Sequence, residues 1–200
     1  PFSILRKFYL QKDRYWFFIW ICGIILIWVW NLLYLNEPAL RQVEVGFLNT
    51  VIISLLVIVF STILGWGTTI LQNMLERNFP KIQITLIFII NIIRSIPQIV
   101  GILMGYVILT ILIHRGILTS EFLILVLTAF VITLFVFLEI FDLLRVRIAF
   151  FSRRDFFDAM RVCGITERFI INREIIWRSS RIHIINKLIA IFGMSIFLLC

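Results

Sequence analysis

Charge is scarce in this chain. Asp, Glu, Lys and Arg make up 15% of its 200 residues, where a soluble domain carries about 25% and is some 45–50% apolar. With 62% apolar residues and a mean hydropathy of +1.06, the composition excludes an ordinary soluble domain and implies a polytopic membrane protein. Cysteine is also sparse. Cys22, Cys163 and Cys200 have no CxxC or metal-ligand spacing, and Cys22 and Cys200 lie in apolar segments, which argues against a disulfide framework or a metal site. The two histidines, His114 and His183, fall far apart in the expected topology, so catalysis has little support. No G-x-x-x-x-G-K-[ST] run occurs, so no P-loop for ATP is present and any energy source would be a partner. No small-residue cleavage site follows the first apolar segment, which therefore reads as an anchor rather than a signal peptide.

The apolar residues fall in long runs. Residues 1–15, with Arg6, Lys7, Lys12 and Arg14 against Asp13 alone, are expected as a short helix on an anionic membrane surface. Trp16 to Tyr34 carries no charge and is long enough to span. Its Trp16, Trp20, Trp28 and Trp30 sit near both ends, as interfacial aromatics do. Asn36 to Glu44, with Pro38, is expected as a loop, and Val45 to about Ile70 as the second span. A short loop with Glu76, Arg77 and Lys81 leads to a third apolar run, Ile82 to Ile113. His114 to Glu121 is the next turn, Phe122 to about Leu138 the fourth span, and Ile184 to Cys200 the start of a fifth. The +8 charge does not point to nucleic acid, because it is distributed between these runs. With the N-terminus inside, fifteen Lys and Arg lie on the cytoplasmic side and two, Arg41 and Arg115, outside, the asymmetry that orients membrane proteins.

Nine of those fifteen lie in one polar island from Arg145 to Arg181, RVRIAFFSRRDFFDAMRVCGITERFIINREIIWRSSR, against Asp155, Asp158, Glu167 and Glu174. Phe156, Phe157, Met160 and the aliphatic part of Arg161 recur at helical spacing, and Gly164 follows where a left-handed residue would end that helix. Ile165, Phe169, Ile170 and Arg173 then repeat at i, i+4, i+5 and i+8. The expectation is helix, glycine corner, helix, lying on a membrane surface.

That arrangement resembles the EAA loop of permease subunits of binding-protein-dependent ABC importers. The family pattern is Glu-Ala-Ala, three residues, Gly, nine residues, then Ile-x-Leu-Pro. Laid on this chain, it puts Asp158, Ala159 and Met160 on Glu-Ala-Ala, Gly164 on the Gly, and Glu174, Ile176 and Trp177 on the Ile, Leu and Pro. Spacing matches, while Asp158, Met160, Glu174 and Trp177 depart in identity. Arg145 and the run Ser152-Arg153-Arg154-Asp155 resemble the approach segment of oligopeptide-type permeases, nearest the C-type subunit.

The resemblance implies an all-α polytopic bundle with about five spans here, where the family usually has six, so the chain is expected to continue past Cys200. It implies a single membrane domain, 1–200, with a cytoplasmic segment (1–15), spans one to four (16–143), a coupling loop (144–181) and the start of span five (184–200). The expected function is ATP-driven import across a bacterial cytoplasmic membrane, of oligopeptides or a similar solute; amino-acid or nickel import are alternatives. Expected partners are a second permease subunit, two ATPase subunits that bind the ATP and Mg, an extracytoplasmic solute-binding protein and membrane lipid; this chain itself needs no cofactor. Arg153, Arg154, Asp155, Asp158, Ala159, Met160 and Gly164 would contact the ATPase. Binding of the nine arginines to anionic lipid is the alternative for the island.

Two other features stand out. As one helix, Ile82 to Ile113 would be about 48 Å long against a hydrocarbon core of about 30 Å, so it must tilt or break, and Pro97 supplies the place. Asn91, Arg94, Ser95, Gln98, Gly101 and Gly105 share one face around Pro97, polar at one end and small at the other. Such a face borders a translocation pathway or packs on another helix, and Arg94-Ser95-Ile96-Pro97 resembles a segment of the family's core helices. Thr50, Ser54, Ser61, Gly65 and Thr68 form a similar packing seam on the second span. Glu139, Asp142 and Arg145, at i, i+3 and i+6, are expected as a salt-bridged exit from the fourth span, with Arg145 one turn from Asp142. An intramembrane enzyme or assembly factor using Glu139 and Asp142 is the competing function.

Overall fold

In the computed structural model, which describes residues 12–199, every regular element is helical. Residues 1–11 of the basic N-terminal segment lie outside the described residues. The elements are α1 (Lys12–Tyr34), α2 (Glu37–Asn78), α3 (Pro80–Ser95), α4 (Gln98–His114), α5 (Glu121–Phe151), α6 (Asp155–Val162), the single turn α7 (Glu167–Phe169), a π-helix (Ile170–Ser179) and α8 (Arg181–Leu199). Among the described residues, four helices are long and apolar enough to cross a membrane, and the bent pair α3–α4 makes a fifth candidate span.

The chain divides into two compact units, Pro1–Leu48 and Asn49–Cys200. In the first, α1 is apolar on all sides from Trp16 onward, with exposed Trp16, Trp20, Trp28 and Trp30, and Trp30 stacks on Tyr34. A helix of that kind suits lipid rather than water. Residues 37–44, expected as a loop, are the first turns of α2. Pro38 is compatible with this because a first-turn proline gives up an N–H that has no helical acceptor.

The second unit is built around α5, whose buried side chains run from Thr128 to Ile148. This helix continues three turns past Leu138, the expected end of the span, so the first residues of the polar island belong to it. The cause is an unbroken inward stripe of Ile140, Phe141, Leu144 and Ile148. One apolar cluster joins Ile53 and Val57 of α2, Ile102 of α4, Phe157 of α6, Ile170 and Ile175 of the π-helix and Ile191 of α8 to Ile140, Leu144 and Ile148 of that stripe, while Phe141 packs in a second cluster with Ile90 of α3. The α2 seam meets it through Ser54, Ser61 and Gly65, all buried; a β-carbon on Gly65 would lie 2.7 Å from Ile140 Cβ. Thr69, rather than the expected Thr68, completes the buried row, and its hydroxyl donates to Gly65 O.

The third apolar run is two helices with axes bent by 87°. Helix α3 stops at Ser95, Ile96 is extended (φ −84°, ψ 123°), and α4 starts after Pro97. The proline ring disfavours helical geometry at the residue before it, so the break falls one residue ahead of Pro97.

Candidate functional site

The island turns away from α5 at Ser152, whose hydroxyl donates to Ile148 O. Helix α6 follows. Asp155 and Asp158 occupy its first turn and Arg161 its last, each matched to the partial charge of that helix end. Phe157 is buried and Met160 half-buried against the apolar cluster, so Asp155, Asp158, Ala159 and Val162 face outward; Val162 is 89% exposed.

Gly164 ends α6 with φ +79°. Its N–H donates to Arg161 O (2.9 Å) and that of Ile165 to Met160 O (3.1 Å). These two bonds form a Schellman motif, and Met160 and Ile165, at its two ends, both pack against the apolar cluster. A second link crosses the corner: Arg161 Nε lies 2.9 Å from Glu167 Oε1. The angle between α6 and the next segment is therefore held by the glycine conformation and an ion pair together.

Past the corner the structure departs from the expected α-helix. After the α7 turn, Ile170 to Ser179 are π-helical, and Phe169, expected on the inward face, is 42% exposed beneath Arg173. The residues that need burial, Ile170, Ile175 and Ser180, are spaced by five and are each 0% exposed. Five residues exceed one α-turn by about 140°, whereas i→i+5 bonding brings such residues nearly into line.

Two polar contacts tie this segment to the long helices. Trp66 Nε1 of α2 donates to Asn172 Oδ1 (3.2 Å), and Arg147 of α5 donates to Ser180 Oγ (3.2 Å) and Ser179 O (3.1 Å). Sequence periodicity does not reveal either pair. Trp66 offered a signal, because an indole within a span needs an acceptor.

The expected ATPase-contacting residues are thus contiguous. Arg153, Arg154, Asp155, Asp158, Ala159 and Gly164 are exposed, Met160 is half-buried, and Arg154 covers the Phe150 ring at 4.5 Å. The stripe around Pro97 turns toward α5. Arg94 pairs with Asp142, Gln98 Nε2 donates to Phe135 O (2.8 Å), and β-carbons on Gly101 and Gly105 would overlap Phe135 and Val131. Asn91 and Ser95 are exposed and bonded to each other, Ser95 Oγ to Asn91 O (2.7 Å). The acids of the span exit also differ from expectation. Asp142 is engaged by Arg94 instead of Arg145, and Glu139 by Lys187 Nζ at 2.8 Å. Neighbouring helices present those cations across the interface, where a pair forms without bending one helix's side chains along its own axis. Among the described residues, no group of three or more His, Cys, Asp or Glu is arranged to hold a metal ion. No family model, curated protein or solved structure matches this chain.

Proposed function

We propose that this chain is a membrane permease subunit of a binding-protein-dependent ABC importer, with α6 and its glycine corner as the element that couples to a partner ATPase. The observation that carries the reading is the Schellman corner at Gly164, at the position where the EAA pattern has its glycine. Around it, a short amphipathic helix buries Phe157 and offers Asp155, Asp158 and Val162 outward, which is a form suited to a docking cleft. The Trp66–Asn172 and Arg147–Ser180 contacts then carry a push on the corner to α2 and α5 as a rigid-body displacement. Lipid adhesion alone asks for no such corner. On this reading the island is cytoplasmic, the N-terminus is inside, the membrane is a bacterial cytoplasmic membrane, and the solute is an oligopeptide or similar compound. The partners are a second permease subunit, two ATPase subunits and a solute-binding protein.

The test is co-purification. An ATPase subunit encoded beside this chain should elute with it from detergent extracts, and Asp158→Arg should release it while the chain still inserts. An Asp158→Arg chain that retains the ATPase at wild-type stoichiometry would count against docking through α6.

A further inference from the structure

Where α5 enters the island, a cleft of ≈ 390 Å³ is lined by residues of α2, α3 and α5 together with Ser152 and Arg153. Its charged lining is Glu76, Arg145 and Arg153, and none of the three makes an ion pair among the described residues. Gln72 also lines it. This side chain is only 7% exposed and makes no hydrogen bond among the described residues. Its amide atoms are not sealed off from the surroundings, so they open onto the cleft, where a ligand or water can reach them. A groove of ≈ 500 Å³ shares Ala149 and Arg153 with the cleft and runs along Val146 and Phe150, which are 66% and 46% exposed. Polar cleft and apolar groove thus adjoin on α5 from Arg145 to Phe150, and the roughly 20 residues a helix needs to cross the hydrocarbon, counted from Glu121, end just before them.

We infer that this composite site binds one phospholipid of the ethanolamine type. Its phosphate is held by Arg145 and Arg153, its ammonium by Glu76, and an acyl chain lies along Val146 and Phe150. Basic pockets between spans are a known solution for phosphate headgroups. Here the carboxylate decides among them. A purely anionic headgroup would leave Glu76 facing like charge, and a choline headgroup has no N–H to donate to it. A soluble phosphate would leave the apolar groove uncovered. The inference is independent of the proposed transport role, since it requires neither ATPase nor solute.

The chain, reconstituted in an equimolar mixture of phosphatidylethanolamine, phosphatidylglycerol and phosphatidylcholine, is extracted in mild detergent, and its retained lipid is identified by native mass spectrometry. Phosphatidylethanolamine should be retained in preference. Arg145→Gln and Arg153→Gln should each weaken retention about fivefold, and Glu76→Gln should shift the preference to phosphatidylglycerol. If an arginine variant fails to insert, the headgroup preference of Glu76→Gln, at an exposed position, decides alone. Retained lipid that mirrors the added mixture, or a preference unchanged in Glu76→Gln, would overturn the inference. Displacement of the lipid by inorganic phosphate would also overturn it, by assigning the cleft to a soluble anion.

Discussion

Arg94 of α3 and Asp142 of α5, far apart in sequence, close an ion pair of 2.5 Å beside the break at Pro97. One turn earlier on α5, Glu139 pairs with Lys187 of α8. Two acids of one helix thus fasten two different neighbours to it. Both pairs keep partial access to the surroundings, with side-chain exposures between 26% and 49%, so neither pays the full cost of burying a charge.

The first pair should behave as a reciprocal link. Arg94→Asp and Asp142→Arg should each lower the midpoint of thermal unfolding in detergent, and the double variant should recover most of the loss. The coupling expected of a half-exposed pair is about 1 kcal/mol or less. Additive losses in the double variant would show that the two side chains do not support each other.

Close approach of α4 to α5 rests on two glycines. Gly101→Leu and Gly105→Leu place side chains where Phe135 and Val131 already lie, and overpacking of this kind costs about 1–3 kcal/mol. Each should lower the unfolding midpoint by several degrees. Gly193→Ala, where an added β-carbon meets nothing within 4 Å, should stay close to wild type in the same measurement. Equal effects at positions 101 and 193 would refute the packing described.

The features legible in the sequence were those with a local physical cause. Spans follow from apolar run length, the break from Pro97, and the corner from Gly164 after an amphipathic turn. Gly101 and Gly105 were visible as a small-residue face, though not which helix they met. Partners set by three-dimensional neighbours were hidden. Asp142 had Arg145 nearby in sequence, and only the bend of α3 brings Arg94 to it instead. The π-helix was hidden for a different reason. Ile165, Phe169 and Ile170 fit an α-helical period, and the competing five-residue spacing of Ile170, Ile175 and Ser180 shows its weight only once burial is known.

A native cysteine makes the orientation directly measurable. Cys163 is exposed at the corner, so a chain with Cys22→Ser and Cys200→Ser reports this one position. On the proposed topology, an impermeant maleimide added outside intact cells should leave Cys163 unlabelled, and permeabilised cells should label it fully. Ile117→Cys, at an exposed position of the turn expected outside and in a chain also lacking Cys163, should show the opposite pattern. Labelling of Cys163 from outside would place the corner on the wrong side for an ATPase.

Gly164 offers the sharpest test of coupling, because its left-handed conformation is strained for other residues while the space around it is free. A β-carbon there meets nothing within 4 Å, so any effect of substitution comes from the backbone. The left-handed region costs a residue with a β-carbon about 1 kcal/mol or more, most for β-branched side chains and least for Asn. Impairment should therefore rise in the order Gly, Asn, Ala, Val, although side-chain volume orders Ala before Asn. With purified ATPase and permease in liposomes, Gly164→Val should lower both solute uptake and solute-stimulated ATP hydrolysis and loosen ATPase binding. The spans should unfold at nearly the wild-type temperature. Asp158→Arg leaves the corner's hydrogen bonds in place, and Arg161 keeps Glu167 as its partner; it should reduce ATPase binding through charge alone, an effect that salt weakens. A lipid-adhesion segment predicts otherwise, since one more arginine would strengthen its attachment to anionic membranes. Normal uptake by both variants at normal abundance would remove the coupling role from α6.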